Sequence, residues 1–240
     1  MQGIFKPIRT PSIKEACISR FEELILSGKL SIGQKLPPER ELALQLGVGR
    51  PVVHESLVDL ASKGLVTLIP RVGTVVNDYR KEGSLNLLTS LINYQKGELT
   101  PKLLDDLLKV RMLFETENAR LAALNRSQEQ LRILYKLLKS EKEIDIHDIE
   151  GIVGINFDFH HQIALATDNL IYPLLLNSFK KLYTNLLAQY YSNQTDNSRV
   201  WNFHKELVAA IKNRDEKSAM HTMERLLVHG EEQMKLMNPE

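Results

Sequence analysis

Cysteine is almost missing from this 240-residue chain, where Cys17 stands alone. A single thiol cannot build an internal disulfide framework, and its scarcity fits a reducing compartment. The apolar helical stripe around it, from Ile13 to Leu24, makes Cys17 a packing thiol. No apolar run comes near the roughly 20 residues that span a bilayer. The first ten residues carry Lys6 and Arg9 but no apolar core of a secretory signal. These absences point to a cytoplasmic protein with no membrane association. A strong charge of either sign is also lacking, since the formal net charge is +1, which by itself neither demands nor excludes nucleic acid. No nucleophile–base set, phosphate-binding glycine loop or pair of catalytic carboxylates is apparent, so the chain is expected not to be an enzyme.

What is present divides in two. Hydrophobic residues make up 43% and charged residues 25%, the balance of a soluble globular protein. Residues 1–80 hold 6 of the 9 prolines and 7 of the 12 glycines, and there 11 Lys and Arg face 8 Asp and Glu. The remainder reverses that sign, with 20 basic against 22 acidic residues. A mildly basic front on a mildly acidic body has the sense expected of a DNA-reading head. The boundaries read as a head over 1–76, a linker and connecting helix over 77–98, and a helical body over 99–240.

Within the head, Ser12 is a suitable N-cap for a helix carrying Ile13, Ala16, Cys17, Phe21 and Leu24, ending at Ser27-Gly28. Pro37-Pro38-Glu39 opens a second helix, the carboxylate suiting the dipole, and Gly47 stops it in a turn that needs φ > 0. A third helix begins at Gly49, carries Val53, Leu57 and Leu60, and stops at Gly64. Two β-prone runs, Leu65–Ile69 and Gly73–Val76, flank Pro70-Arg71-Val72 as a hairpin. Helix, tight turn, helix and hairpin form the grammar of a winged helix-turn-helix. The third helix would then enter the major groove with Gly49, Arg50, Pro51 and Val52 leading. Gly49 would permit close backbone approach, and Arg50 would fork a guanine or hold a phosphate. Arg71 and Gly73 would sit at the wing tip. Taken singly, each of these residues has an ordinary structural explanation, and it is the order and spacing of the set that point to DNA.

The run Gly28–Ala43 with its Leu36-Pro37-Pro38-Glu39-Arg40-Glu41-Leu42, followed by Leu46–Arg50, Gly64-Leu65-Val66 and Gly73-Thr74, resembles the DNA-binding domain of the GntR family. The resemblance implies operator contacts by Arg40, Gly49, Arg50, Arg71 and Gly73. His54 stands where the family places a second arginine of the recognition helix, so an operator sequence cannot be borrowed from relatives.

The body reads as an all-α bundle. Thr100-Pro101 starts a helix with an apolar stripe of Leu103, Leu107, Val110, Phe114 and Leu121 toward Leu124. Ser127 caps the next, with Leu131, Leu134, Leu137 and Leu138. Further helices are expected over about 148–167, 170–192, 197–213 and 215–237. Asn156 and His160 share one helix face, and His204 and Arg111 lie on other helices. Such groups can converge in a bundle core, although a lone helical histidine is more often only hydrogen-bonded.

Val110-Arg111 with Glu115, Phe159-His160, Asn169 before Pro173, and His204-Lys205-Glu206-Leu207 followed by Asp215 resemble the FCD effector domain of the FadR-type branch of the GntR family. That resemblance implies a carboxylate effector and, in many members, a divalent metal held by an Asp and three His. Here the matching positions are Asn156, His160, His204 and Leu226, so two of the four ligands are replaced, with His229 one turn beyond Leu226. Asn156, His160 and His204 therefore constitute a degenerate metal site, able at most to hold Zn, Ni or Mn weakly. The expected effector residues are Arg111, Asn156, His160 and His204.

The chain is thus read as a mainly α, two-domain transcription regulator, a repressor by family habit. It would bind operator DNA as a homodimer under control of a small organic acid. The alternatives are a helical metalloenzyme with an accessory winged domain, and a winged domain used only for protein contacts.

Overall fold

The first helix opens on a reciprocal cap. Ser12 Oγ accepts from the Glu15 amide at 3.2 Å, and Glu15 Oε2 accepts from the Ser12 amide at 2.7 Å, satisfying two donors that a helix start leaves free. The computed structural model describes residues 11–94, 100–194 and 196–237. The chain divides into two compact units, 1–98 and 99–240.

The first unit runs α1 (Ile13–Leu26), α2 (Glu39–Leu46), α3 (Arg50–Ser62), β1 (Val66–Ile69), β2 (Gly73–Val76), α4 (Tyr79–Glu82) and α5 (Leu87–Tyr94). Gly47 ends α2 in the left-handed region at φ +66°, as the turn requires. The strands pair antiparallel from Val66 opposite Val76 to Ile69 opposite Gly73, and Lys35 bridges Val75 on the other edge. Val53, Leu57, Leu60 and Leu65 are fully buried among Phe21, Ile25, Leu36 and Val76. The buried stripe of α1 is Cys17, Ile18, Phe21 and Ile25. Ile13 and Ala16, expected inside, lie exposed, and Leu24 is only partly covered, because the face that meets α3 is rotated from the one hydrophobicity alone suggests. A Cβ on Gly64 would come within 1.9 Å of the Glu82 carbonyl oxygen, so only glycine lets the segment after β2 pass there. That segment falls in the stretch read as linker. Its α5 packs on α1, burying Leu87 and Ser90, and Ser90 Oγ donates to Glu22 Oε1 at 2.5 Å. Lys63 Nζ meets the same carboxylate at 2.8 Å. Residues 95–98 of that stretch, and the first ten residues, lie outside the described residues.

The second unit is helical throughout its described residues: α6 (Pro101–Asn125), α7 (Gln128–Glu143), α8 (Ile149–Leu165), α9 (Ile171–Ser178), α10 (Lys180–Ser192), α11 (Ser198–Asn213) and α12 (Glu216–Met237). Thr100 and Ser127 cap α6 and α7 as expected. Helix α6 packs along α12 and against α8 and α11, while α8 also meets α7 and α10. The stripe expected on α6 is displaced. Leu104, Leu107, Leu108, Glu115, Asn118, Ala119, Ala122 and Ala123 are buried, while Val110, Leu113 and Leu124 are exposed. Small alanines allow close approach of neighbouring helices, and Glu115 on this face has partners inside the bundle. The single helix expected over 170–192 is two. Pro173, Leu176 and Leu182 are buried at intervals of three and six, which a 3.6-residue period cannot keep on one face. The chain tightens instead, and the Phe179 amide donates to Leu176 O at 3.1 Å as well as to Leu175 O at 3.3 Å, a 3₁₀-like step.

Candidate DNA-reading face and bundle cavity

In the first unit, the start of α2, the start of α3 and the wing enclose a cleft of about 550 Å³ lined by Arg40, Arg50, His54, Arg71 and Gly73, among others. Five of the seven residues expected at DNA therefore share one concavity. Gly49 and Pro51 stand beside it as N-cap and first-turn residue of α3. A Cβ on Gly49 would meet only Pro51 Cδ at 3.6 Å, an ordinary contact, so the fold itself does not require glycine there. Arg71 adopts φ +63° at the wing turn, a left-handed conformation that costs a non-glycine residue about 1–3 kcal/mol. Neither Arg40 nor Arg71 has an ion-pair partner among the described residues.

Arg50 and His54 do have one. Glu39 Oε2 accepts from Arg50 Nε at 3.1 Å, and Glu39 Oε1 lies 2.7 Å from His54 Nδ1. The His54 hydrogen bond, with Arg50 beside it, holds the Glu39 carboxyl below the usual carboxylate value against the opposing effect of partial burial. Glu39, read from the sequence only as a helix-start carboxylate, is thus the hub of the face.

In the second unit a small cavity of about 40 Å³ is lined by Arg111, Asn156, His160, Tyr183, Leu226 and His229, with Leu187, Leu227 and Met234 among its apolar wall. Arg111 Nε donates to Glu115 Oε1 at 2.7 Å, its guanidinium lying 4.3 Å over the Tyr183 ring. The other Glu115 oxygen meets His160 Nδ1. Burial would raise the Glu115 carboxyl, but Arg111 and then His160 outweigh it and hold it at about 2. Burial dominates at His160 and favours the neutral ring despite Glu115. Asn156 donates to Tyr191 Oη at 3.2 Å and accepts from Tyr183 Oη at 3.1 Å.

His204 does not line this cavity. Its ring stacks on Phe159 at 4.1 Å and meets His160 edge-on at 5.6 Å, while its Nδ1 pairs with Glu141 Oε2 at 2.7 Å. Its Nε2 is buried without a hydrogen-bond partner. The four positions expected to be metal ligands do gather, but their chemistry does not suit a tight site. Asn156 is held by two tyrosines, and Leu226 offers no donor. Among the described residues no group of three or more His, Cys, Asp or Glu side chains is placed to hold a metal, and nothing supports the metalloenzyme alternative.

Comparison with known proteins settles the family. Residues 14–76 match the bacterial regulatory proteins of the gntR family, and residues 77–237 match the FadR C-terminal domain. The chain belongs to the GntR family of transcription regulators, in its FadR-type branch. The fatty acid metabolism regulator protein of Proteus mirabilis is 30% identical over 210 residues, covering 88% of this chain and 84% of that protein. The protein of the same name from Cronobacter sakazakii is 32% identical over 185 residues, covering 77% and 75%. Among solved structures, a Streptococcus agalactiae GntR protein superposes with a TM-score of 0.50 at 25% identity, covering 90% of this chain and 97% of that one.

Three participants in this GntR-family chain escaped the sequence reading of the sites. Glu39 and Glu141 were not singled out there, and Glu115 was noted only as part of a motif. Glu141 had a signal, since it continues the stripe Leu131, Leu134, Leu138 of α7 at helical spacing, and a charge on an apolar stripe calls for a buried partner. Among the described residues no helix is long and apolar enough to cross a membrane.

Proposed function

We propose that this regulator is a cytoplasmic homodimer, without catalytic activity, that reads operator DNA with Arg40, Gly49, Arg50, Pro51, His54, Arg71 and Gly73. The observation that carries this reading is the convergence of recognition helix, α2 start and wing on one cleft with three exposed arginines. Dimerisation follows from half-site logic, since one recognition helix covers only one half of a palindromic operator. Arg50→Ala is expected to weaken operator binding by about 1–3 kcal/mol, the value of a bidentate base contact. Arg80→Ala is expected to have no such effect, because Arg80 pairs locally with Asp78 at 2.8 Å. Fluorescence anisotropy on selected operator DNA, repeated across salt concentrations, separates the two. Equal affinities for wild type and Arg50→Ala would refute the assignment.

The second unit we take to be the effector domain, with Arg111, Asn156 and His160 at the polar end of its cavity; His204, expected there, instead backs His160 and pairs with Glu141. The relatives' name points to fatty acid metabolism, and the wall of Leu187, Val200, Leu226, Leu227 and Met234 suits an acyl chain. The effector proposed is therefore a fatty acid or an activated derivative of one. A cavity of about 40 Å³ holds little more than water, whereas small-molecule sites run to about 300–1,000 Å³. Uptake therefore has to move helices, which gives the ligand a differential affinity for two states. Arg111 is already engaged by Glu115, so a carboxylate effector would compete with Glu115 for it. We propose no resident metal. Titration with acids of increasing chain length, followed by Trp201 fluorescence, tests the reading. Binding of short organic acids in preference to long-chain ones would favour a small-acid effector instead.

A further inference from the structure

The DNA-reading face contains a carboxylate where phosphates must approach, and that placement demands a reason. Glu39 is the first residue of α2, and its side chain is only 24% exposed, whereas those of Arg50 and His54 are 72% and 57% exposed. It accepts from both at once, one oxygen to each. Arg50 and His54 are four residues apart on α3, so they project from one helix face, and one carboxylate spans the gap between them. The remaining charges around the cleft are Arg40 and Arg71. Glu55, on the same helix, faces Lys14 instead at 3.7 Å.

We propose that Glu39 is a positioning residue that determines operator specificity: by holding Arg50 through Nε and His54 through Nδ1, it leaves Arg50 a two-nitrogen donor fork and leaves His54 only Nε2 to present to a base edge. The inference rests on the DNA-reading face proposed above. In a neutral imidazole one nitrogen donates and the other accepts, and the partner of the first fixes the role of the second. With Nδ1–H donating to Glu39, Nε2 is an acceptor. In the major groove, acceptors pair with the amino groups of cytosine and adenine, and donors with guanine O6 and N7 or thymine O4. Arg50 therefore selects guanine while neutral His54 selects cytosine or adenine at its own position. An arginine there, as in the family pattern, would select the opposite set. The pairing also explains why a carboxylate is tolerated at the face. Its charge is a penalty on every duplex alike, whereas its orienting effect is felt only where the bases match.

The experiment is operator selection from a random duplex pool by the full chain and by its His54→Arg variant, followed by anisotropy on the selected and single-base-changed duplexes. Between wild type and His54→Arg, one position of each half-site is expected to change its preferred base, by about tenfold in relative affinity. Glu39→Ala is expected to bind random duplex more tightly, since a like charge has gone, yet to lose preference at that position. Glu39→Gln, which keeps an acceptor oxygen, should recover part of the discrimination, and His54→Ala should be indifferent there throughout. The same preferred base in wild type and His54→Arg overturns the proposal, as does full discrimination by Glu39→Ala. If the chain instead shows no salt-dependent DNA binding at all, the reading of the face fails and takes this inference with it. Salt-dependent binding with unaltered Glu39 variants would sink the inference alone. Thermal melts show whether each variant folds.

Discussion

Arg111→Met keeps an unbranched apolar stem and removes the charged guanidinium, and its consequences can be worked through from the contacts of Glu115. In the wild type, Glu115 is 2% exposed, bonded by Arg111 and held at about 2 against an ordinary value of 4.5. At about 1.4 kcal/mol per unit, the difference corresponds to roughly 3 kcal/mol of bundle stability. The sign follows from the depressed folded value: this contribution is fully present above the unfolded pKa and is lost as pH falls toward 2. His160 acts in the same sense. Its folded pKa is lowered from 6.5 by burial, so the stability it confers is present above 6.5 and declines below it. The wild-type bundle is therefore expected to gain stability as pH rises from about 5 to about 8. Without Arg111, a buried carboxylate has lost its strongest counter-charge, a change that costs about 3–5 kcal/mol near pH 8. The variant recovers part of that by taking up a proton on folding, on Glu115 or on His160. Whichever carries it, stability now falls as pH rises, and the dependence reverses sign. Trp201 is the only tryptophan, and its Nε1 donates to Leu138 O at 3.1 Å inside the bundle. Urea unfolding followed by tryptophan fluorescence therefore reports this unit separately from the head. A variant whose stability still increases with pH would refute the reasoning, as would one that loses less than about 1 kcal/mol, the value of an exposed pair.

Other expectations follow from the same contacts. Gly154 and Gly230 are interior to α8 and α12, and an added Cβ at either would meet nothing within 4 Å. Alanine at each is therefore expected to stabilise the bundle by about 0.5–1 kcal/mol, read as a rise of about 2–4 °C per kcal/mol in melting temperature. A drop in melting temperature would show that these helices need the missing side chain. Lys63→Met should destabilise the head by about 3 kcal/mol, because the Glu22 carboxylate it meets at 2.8 Å is 6% exposed and would be left with only Ser90. Circular dichroism melts would contradict this if they were unchanged. Asn156→Asp with Leu226→His restores the ligand types of the family pattern, so it is expected to raise the divalent metal retained after dialysis above that of wild type. An equal, chelator-resistant content in both proteins would place the binding elsewhere.

The legible parts of the fold were those in which local and tertiary signals agree. Ser12, Pro37-Pro38, Gly47, Gly64 and the wing turn mark their elements because each meets a local backbone requirement. The convergence of Arg40, Arg50, His54, Arg71 and Gly73 was legible for the same reason, since a short motif fixes its own geometry. Burial in α6 was not. Hydrophobicity selects Val110 and Leu124, which are exposed, and passes over Glu115 and Asn118, which are inside. A sequence shows the cost of burying Glu115 but not that Arg111 and His160 wait there to offset it. The break at Phe179 was hidden because the intervals of three and six between buried residues emerge only once packing against α8 decides which apolar residues are inside. Glu39 was legible as a helix start and illegible as a hub, because its partners lie 11 and 15 residues away across the turn.

The buried polar groups also decide how such a bundle can respond to a ligand. In metal sites, an imidazole that coordinates through one nitrogen commonly gives the other to a carboxylate. Carboxylates stand in that relation here, Glu115 to His160 and Glu141 to His204, beside Asn156 and Leu226, which offer no such ligand. The carboxylates now hold helices together: Glu115 ties α6 to α8, and Glu141 ties α7 to α11. Such pairs are directional and expensive to separate. The cavity wall contributed by α12 is different, consisting of Leu226, Leu227, Gly230 and Met234 beside His229. Apolar contacts depend on area and not on angle, so that wall can shift without leaving a charge unpaired. A ligand that enlarges the cavity therefore meets least resistance from the C-terminal half of α12, and a stiff frame of ion pairs opposite it converts entry into movement of that helix.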